Sequence, residues 1–224
     1  MTTRTCSSST RLGALVPAAA RPPLISKIMM SLVIATLALL AALGAAEAAG
    51  PLDDPAFAKV ITCGACHGVN GNSKSDMQPI IAGLDAAYFK RQIESYASGK
   101  RPSPEMEPYA KQVQFLGLES IAGFFAAQKR EPTPLRVAPE SIARGRAAST
   151  PCMACHGPDG RADVARLVPP LAGQPAGYLA QQMLLFKIDT REPSEALLSA
   201  KKAIMRITPD SQFPDLAAYY SSLR

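Results

Sequence analysis

The sequence predicts an all-α protein built from two similar helical units in tandem. Three observations carry this: apolar residues recur at helical spacing in each segment, one pattern returns at an offset of 89 to 90 residues, and no run alternates apolar and polar residues as a half-buried strand would.

The first 49 residues stand apart. Arg4, Arg11, Arg21 and Lys27 precede an apolar run from Ile28 to Leu43, followed by the small-residue stretch GAAEAAG. A basic segment, an apolar segment and an A-x-A site read as a Sec-type secretory signal over residues 1–49, cleaved at Ala46-Glu47-Ala48 or the next register. Read as an uncleaved segment, Ile28 to Ala49 is long enough, at roughly 20 residues, to anchor the chain in a membrane. Met29 and Met30 are alternative starts, and Cys6 would then lie outside the protein.

Export also changes the charge balance. The leader holds four of the 24 Lys and Arg and one of the 18 Asp and Glu, leaving 20 basic and 17 acidic residues. A balance of +3 suits weak, steered encounters with acidic protein surfaces and makes no case for nucleic acid.

The repeat fixes the organisation. Cys63 and Cys152 are 89 apart, and PIIAGLDAAYFKRQI (79–93) matches PPLAGQPAGYLAQQM (169–183) at an offset of 90, pairing Pro79 with Pro169, Tyr88 with Tyr178 and Gln92 with Gln182. Each copy closes on an aromatic pair, Phe124-Phe125 and Tyr219-Tyr220. Pro132, Pro134 and Pro139 interrupt helix between them. The expected division is a first domain over residues 50–130, a Pro-rich linker over 131–139 and a second domain over 140–224.

Three short helices are expected in each copy. Asp54 followed by Pro55 reads as a helix start running through Phe57, Val60 and Ile61 to the first cysteine motif. Asp85 precedes Tyr88, Phe89 and Ile93 on one helical face, and Ile121, Phe124 and Phe125 share another. Units of this size bury only about 60% of their unfolded surface and usually need a staple.

The chain has two histidines, and both directly follow a Cys-x-x-Cys pair, in TCGACHGVNG (62–71) and TPCMACHGPDG (150–160). A redox disulfide would be expected beside a thioredoxin-like strand pattern, which is absent. Zinc would need four ligands, and the pairs lie one in each repeat. A nucleophilic cysteine would need a histidine free to act as base. Covalent haem c takes this motif as its attachment signature. On a helical turn, residues i and i+3 face one side. Both sulfurs of Cys63 and Cys66, or of Cys152 and Cys155, can therefore reach one porphyrin, while His67 or His156 meets the iron.

These residues resemble class I c-type cytochromes, and the tandem arrangement is similar to the two-haem cytochrome c4 family of the periplasm, over nearly all of residues 53–224. The resemblance implies two tandem class I cytochrome c domains, each a small helical bundle around one covalent haem c. It also implies electron transfer rather than catalysis, and protein redox partners: an oxidase, a reductase or a dehydrogenase. By the same resemblance, the carbonyls of Pro79 and Pro169 orient the proximal histidines.

With no third histidine, the sixth ligand would be methionine. Met106, in GKRPSPEMEPYAKQV, falls in the family's loop before the last helix. In the second copy the place aligned with Met106 falls at Ser199 and Ala200, which cannot ligate. Met106 precedes Phe124 by 18 residues and Met205 precedes Tyr219 by 14. Met205 is the expected ligand there, with Lys201, Lys202 or an open iron as the alternatives. Gly99 to Arg101 and Lys201 to Lys202 are candidate charges on the haem rim. Three functions follow: a periplasmic electron shuttle, a haem subunit held permanently by a periplasmic dehydrogenase, and an enzyme or sensor using an open second iron.

Overall fold

The computed structural model describes residues 29, 32–33, 51–134, 136–188, 190–191 and 196–224. The chain separates into residues 1–48 and 49–224. Of the first unit, Met29, Leu32 and Val33 are helical, and the rest of the expected leader lies outside the described residues. No helix among the described residues is long and apolar enough to cross a membrane.

The second unit is helical, and its only strand-like feature among the described residues is an isolated bridge between Asp163 and Val168. Its first half contains α1 (Phe57–His67), α2 (Ala86–Ala97), α3 (Met106–Leu116) and α4 (Leu118–Ala127). Its second half contains α5 (Pro139–Ala148), α6 (Thr150–His156), α7 (Ala176–Lys187), α8 (Ala196–Ile207) and α9 (Phe213–Ser222).

Local chemistry explains most boundaries. Asp85 caps α2 by accepting from the Tyr88 amide at 2.9 Å. At the start of α1, Asp54 Oδ1 accepts from Ala56 N at 2.7 Å, but the helix runs from Phe57, two residues beyond the proline expected to open it. More helices form than the three expected per copy. Ser103 Oγ accepts from Met106 N at 3.2 Å, so the segment around Met106 is the start of a helix and not a loop. Pro139, expected to belong to the linker, opens α5. Its missing N–H costs nothing there, because first-turn amides have no partner within the helix.

Each half has its own apolar cluster. The first gathers Val60, Leu84, Phe89, Ile93, Ala110, Val113, Ile121, Phe124 and Phe125, with Phe124 edge-on to Phe125 at 5.1 Å. The second gathers Leu179, Met183, Phe186, Met205, Phe213, Leu216, Tyr219 and Tyr220. In the second half α9 packs on α5 and α7, and α8 packs on α7. Burying side chains of this size contributes about 1.5–3 kcal/mol each. The two clusters frame the ends of α1 and α6, where the cysteine motifs lie.

Candidate functional site

Both motifs close a helix: Cys63, Cys66 and His67 end α1, and Cys152, Cys155 and His156 end α6. Gly68 and Gly157 follow at φ 79° and 67°, in left-handed conformations that glycine adopts without strain. A Cβ at Gly68 would stand 2.7 Å from the Asn72 carbonyl oxygen. The four cysteines are free. Burial pushes the Cys63 and Cys152 thiols up, keeping them protonated.

Both imidazoles are buried and held by a carbonyl. His67 Nδ1 donates to Pro79 O at 2.8 Å, and His156 Nδ1 donates to Pro169 O at 3.1 Å. Burial pushes the His67 ring down from its ordinary range, with the Pro79 carbonyl opposing. Burial and then the charge of Lys201 push His156 down to about 3. Each ring is therefore neutral, with its proton on Nδ1, and Nε2 offers its lone pair with no hydrogen-bond partner among the described residues.

The candidate sixth ligands differ in setting. Met106, the first residue of α3, is half-buried against the edge of the first cluster. Met205 lies inside the second cluster at 4% exposure, as does Met183 at 8%. Met77, a competitor to Met106 from the sequence but only two residues before Pro79 on the histidine side, is exposed. Lys201 is half-buried, its Nζ 3.9 Å from the centre of the Phe186 ring. Burial, then Arg191 and Arg101, push its amine down to about 7.

Arg101 and Lys202, expected on the rim, are buried at 6% and 3% exposure. Arg101 instead joins a network that crosses between the halves. It donates to Gln92 Oε1 and Gln182 Oε1, each at 2.8 Å, and to the Tyr178 hydroxyl at 3.2 Å. Arg191 donates to the same two glutamines at 3.1 and 3.3 Å. Each guanidinium lies over an aromatic ring, Arg101 over Tyr96 at 4.5 Å and Arg191 over Phe186 at 4.1 Å. The sequence held a signal for Arg191, since the two arginines sit at the same offset of 90 as Gln92 and Gln182.

No carboxylate pairs with either arginine among the described residues. An unpaired buried cation is strongly destabilising, so the pair fits a group that brings its own acid groups. Haem, with two carboxylate arms, would meet that need, and the free thiols and uncharged imidazoles are groups that could supply its other bonds. Zinc fares worse: no group of three or more His, Cys, Asp or Glu among the described residues could hold a metal ion.

Two helical centres of this kind, each with a thiol pair beside a carbonyl-oriented imidazole, define a dihaem class I c-type cytochrome. The cytochrome c family model matches residues 142–224. The chain is 37% identical to cytochrome c4 of Pseudomonas aeruginosa, over 73% of this chain and 84% of that protein. It is 30% identical to the thiosulfate dehydrogenase electron acceptor of Stutzerimonas stutzeri, over 73% and 79%. The crystal structure of reduced recombinant cytochrome c4 from Pseudomonas stutzeri superposes with a TM-score of 0.68 at 26% identity, covering 75% of this chain and 96% of that one. The chain belongs to the cytochrome c4 family: it binds two covalently attached haem c groups and transfers electrons.

Proposed function

We propose that this cytochrome is exported to the periplasm and shuttles electrons there, taking them from a dehydrogenase or other respiratory donor and passing them to an acceptor protein. The observation that carries the reading is the duplicated centre, in which each neutral histidine is fixed by a prolyl carbonyl. The basic, then apolar, then small-residue leader supports the location. The similarity to a thiosulfate dehydrogenase electron acceptor supports a dehydrogenase as donor.

In this reading residues 50–130 and 140–224 each hold one haem, joined by the linker at 131–139. Cys63 and Cys66 fasten the first, and Cys152 and Cys155 the second. Haem c supplies an iron that accepts and releases one electron. His67 and His156 present Nε2 to it, their planes and tautomers set by Pro79 and Pro169. Met106 would hold the iron of the first centre through its thioether sulfur, which would favour the reduced state. Arg101 and Arg191 receive the carboxylate arms, and the aromatic pairs of α4 and α9 keep water out. Exposed lysines and arginines steer acidic partners into short-lived encounters.

The test is the haem-to-protein ratio of the exported protein, followed by a spectral redox titration. Two haems per chain and two one-electron transitions are expected, and Met106→Ala should remove the weak long-wavelength ferric band that thioether ligation produces at the first centre. A colourless, folded secreted chain with four free thiols would end the proposal.

A second reading, a haem subunit held permanently by a dehydrogenase, draws on Phe115 and Ile207, 91% and 82% exposed at the ends of α3 and α8. Co-elution of the cytochrome with dehydrogenase activity from a native extract would favour it over the free shuttle.

A further inference from the structure

We propose that Lys201, and not a methionine, is the sixth ligand of the second haem iron, so that the two irons of this chain are ligated differently. The proposal rests on the dihaem reading above and goes beyond it.

The first observation is register. Helices α4 and α9 each have ten residues, 118–127 and 213–222, and they carry the matching pairs Phe124-Phe125 and Tyr219-Tyr220. Both correspondences set an offset of 95 at this end of the repeat. Carried back without a gap, that offset pairs Met106 with Lys201 and Ala110 with Met205. The expected match of Met106 to Ser199 and Ala200 is thereby corrected.

Packing agrees with this register. Ala110 and Met205 are both buried inside their clusters, at 0% and 4% exposure. Met106 and Lys201 are both half-buried. Met205 has the surroundings of a core residue, packed with Leu179, Met183, Phe186 and Leu216.

The direction of the lysine is the other observation. Its Nζ lies 3.9 Å from the Phe186 ring centre, and Phe186 is 1% exposed inside the cluster against which Cys152 of the second motif packs. No carboxylate pairs with it among the described residues. To ligate, the amine gives one proton to solvent and offers its nitrogen lone pair. Nitrogen ligation lacks the thioether's preference for ferrous iron, so the second centre should have the lower potential.

The test starts from the exported holoprotein with its haem content measured. A ratio other than two per chain counts against the dihaem reading itself, and a ratio of two isolates the ligand question. The wild-type ferric protein should then show one haem's worth of the long-wavelength thioether band, all of it lost in Met106→Ala. Lys201→Met should double the band and raise the lower midpoint potential, and Met205→Leu should change neither. Two outcomes overturn the proposal: a wild-type band of two haems' worth that halves in Met205→Leu, or a Lys201→Ala protein with wild-type ferric spectrum and potentials.

Discussion

Gln174 holds a peptide of the other half of the protein by both of its backbone groups. Its Oε1 accepts from Ile80 N and its Nε2 donates to Ile80 O, each at 2.9 Å. Ile80 is fully buried and directly follows Pro79, whose carbonyl fixes His67. A residue of the second half thus buttresses the segment that orients the first histidine. Gln174→Ala leaves the buried Ile80 amide without a partner, which should cost about 1–3 kcal/mol, read as a lower denaturation midpoint of the holoprotein. The two histidine–proline pairings were expected from the resemblance to class I c-type cytochromes, with the repeat adding only that Pro169 matches Pro79. Gln174 was not, because the repeat aligns it with Leu84 and its partner is 94 residues away.

Among the elements, α5 and α9 approach most closely at Gly145. A Cβ there would run into the backbone carbonyl of Asp215 and lie 2.9 Å from the Tyr219 Cβ. Arg144, one residue earlier, donates to both carboxylate oxygens of Asp215 at 2.7 and 2.9 Å, fixing the same crossing. Gly145→Ala must push the helices apart against a packed core, a cost of about 1–3 kcal/mol. Thermal unfolding should report that loss, while a Gly123→Ala control, where nothing lies within 4 Å of the added carbon, should lose nothing. The helices with a clear cap or apolar face were readable from sequence, as Asp85 before α2 demonstrates. Helix α3 was not, because Pro104 and Pro108 look like breakers. Pro108 sits in the first helical turn, where a missing amide is harmless. The extent of α8 was hidden for a related reason: its place is set by packing on α7, and the loop leading to it differs in length between the repeats.

At the scale of the molecule, the repeat suggests two independent units on a proline linker, yet the halves are built into each other. The residue before α7 is Pro175, which has no capping side chain. Asp76 of the first half takes that role, accepting from Gly177 N with Oδ1 at 3.1 Å and from Tyr178 N with its carbonyl at 2.9 Å. Arg130 donates to carbonyls of both halves, Ala82 and Ala172, each at 3.3 Å. These contacts of Asp76 and Arg130 escaped the sequence because a repeat reports what the halves share, and neither residue has a counterpart at the offset of 90. The arginine network gives the junction an electrical consequence. Arg101 belongs to the first half but donates to Gln182 and Tyr178 of the second, so its charge bears on both centres. A buried positive charge favours the added electron, and the effect weakens slowly with distance where water is excluded. Arg101→Gln should therefore lower both midpoint potentials in a spectral redox titration. Arg101→Lys, which keeps the charge and loses the planar fork, should lower them less. If only the higher potential moved, the two haems would be electrically separate despite the shared network. A drop in both from one side chain would make the junction a common control on the two electron sites.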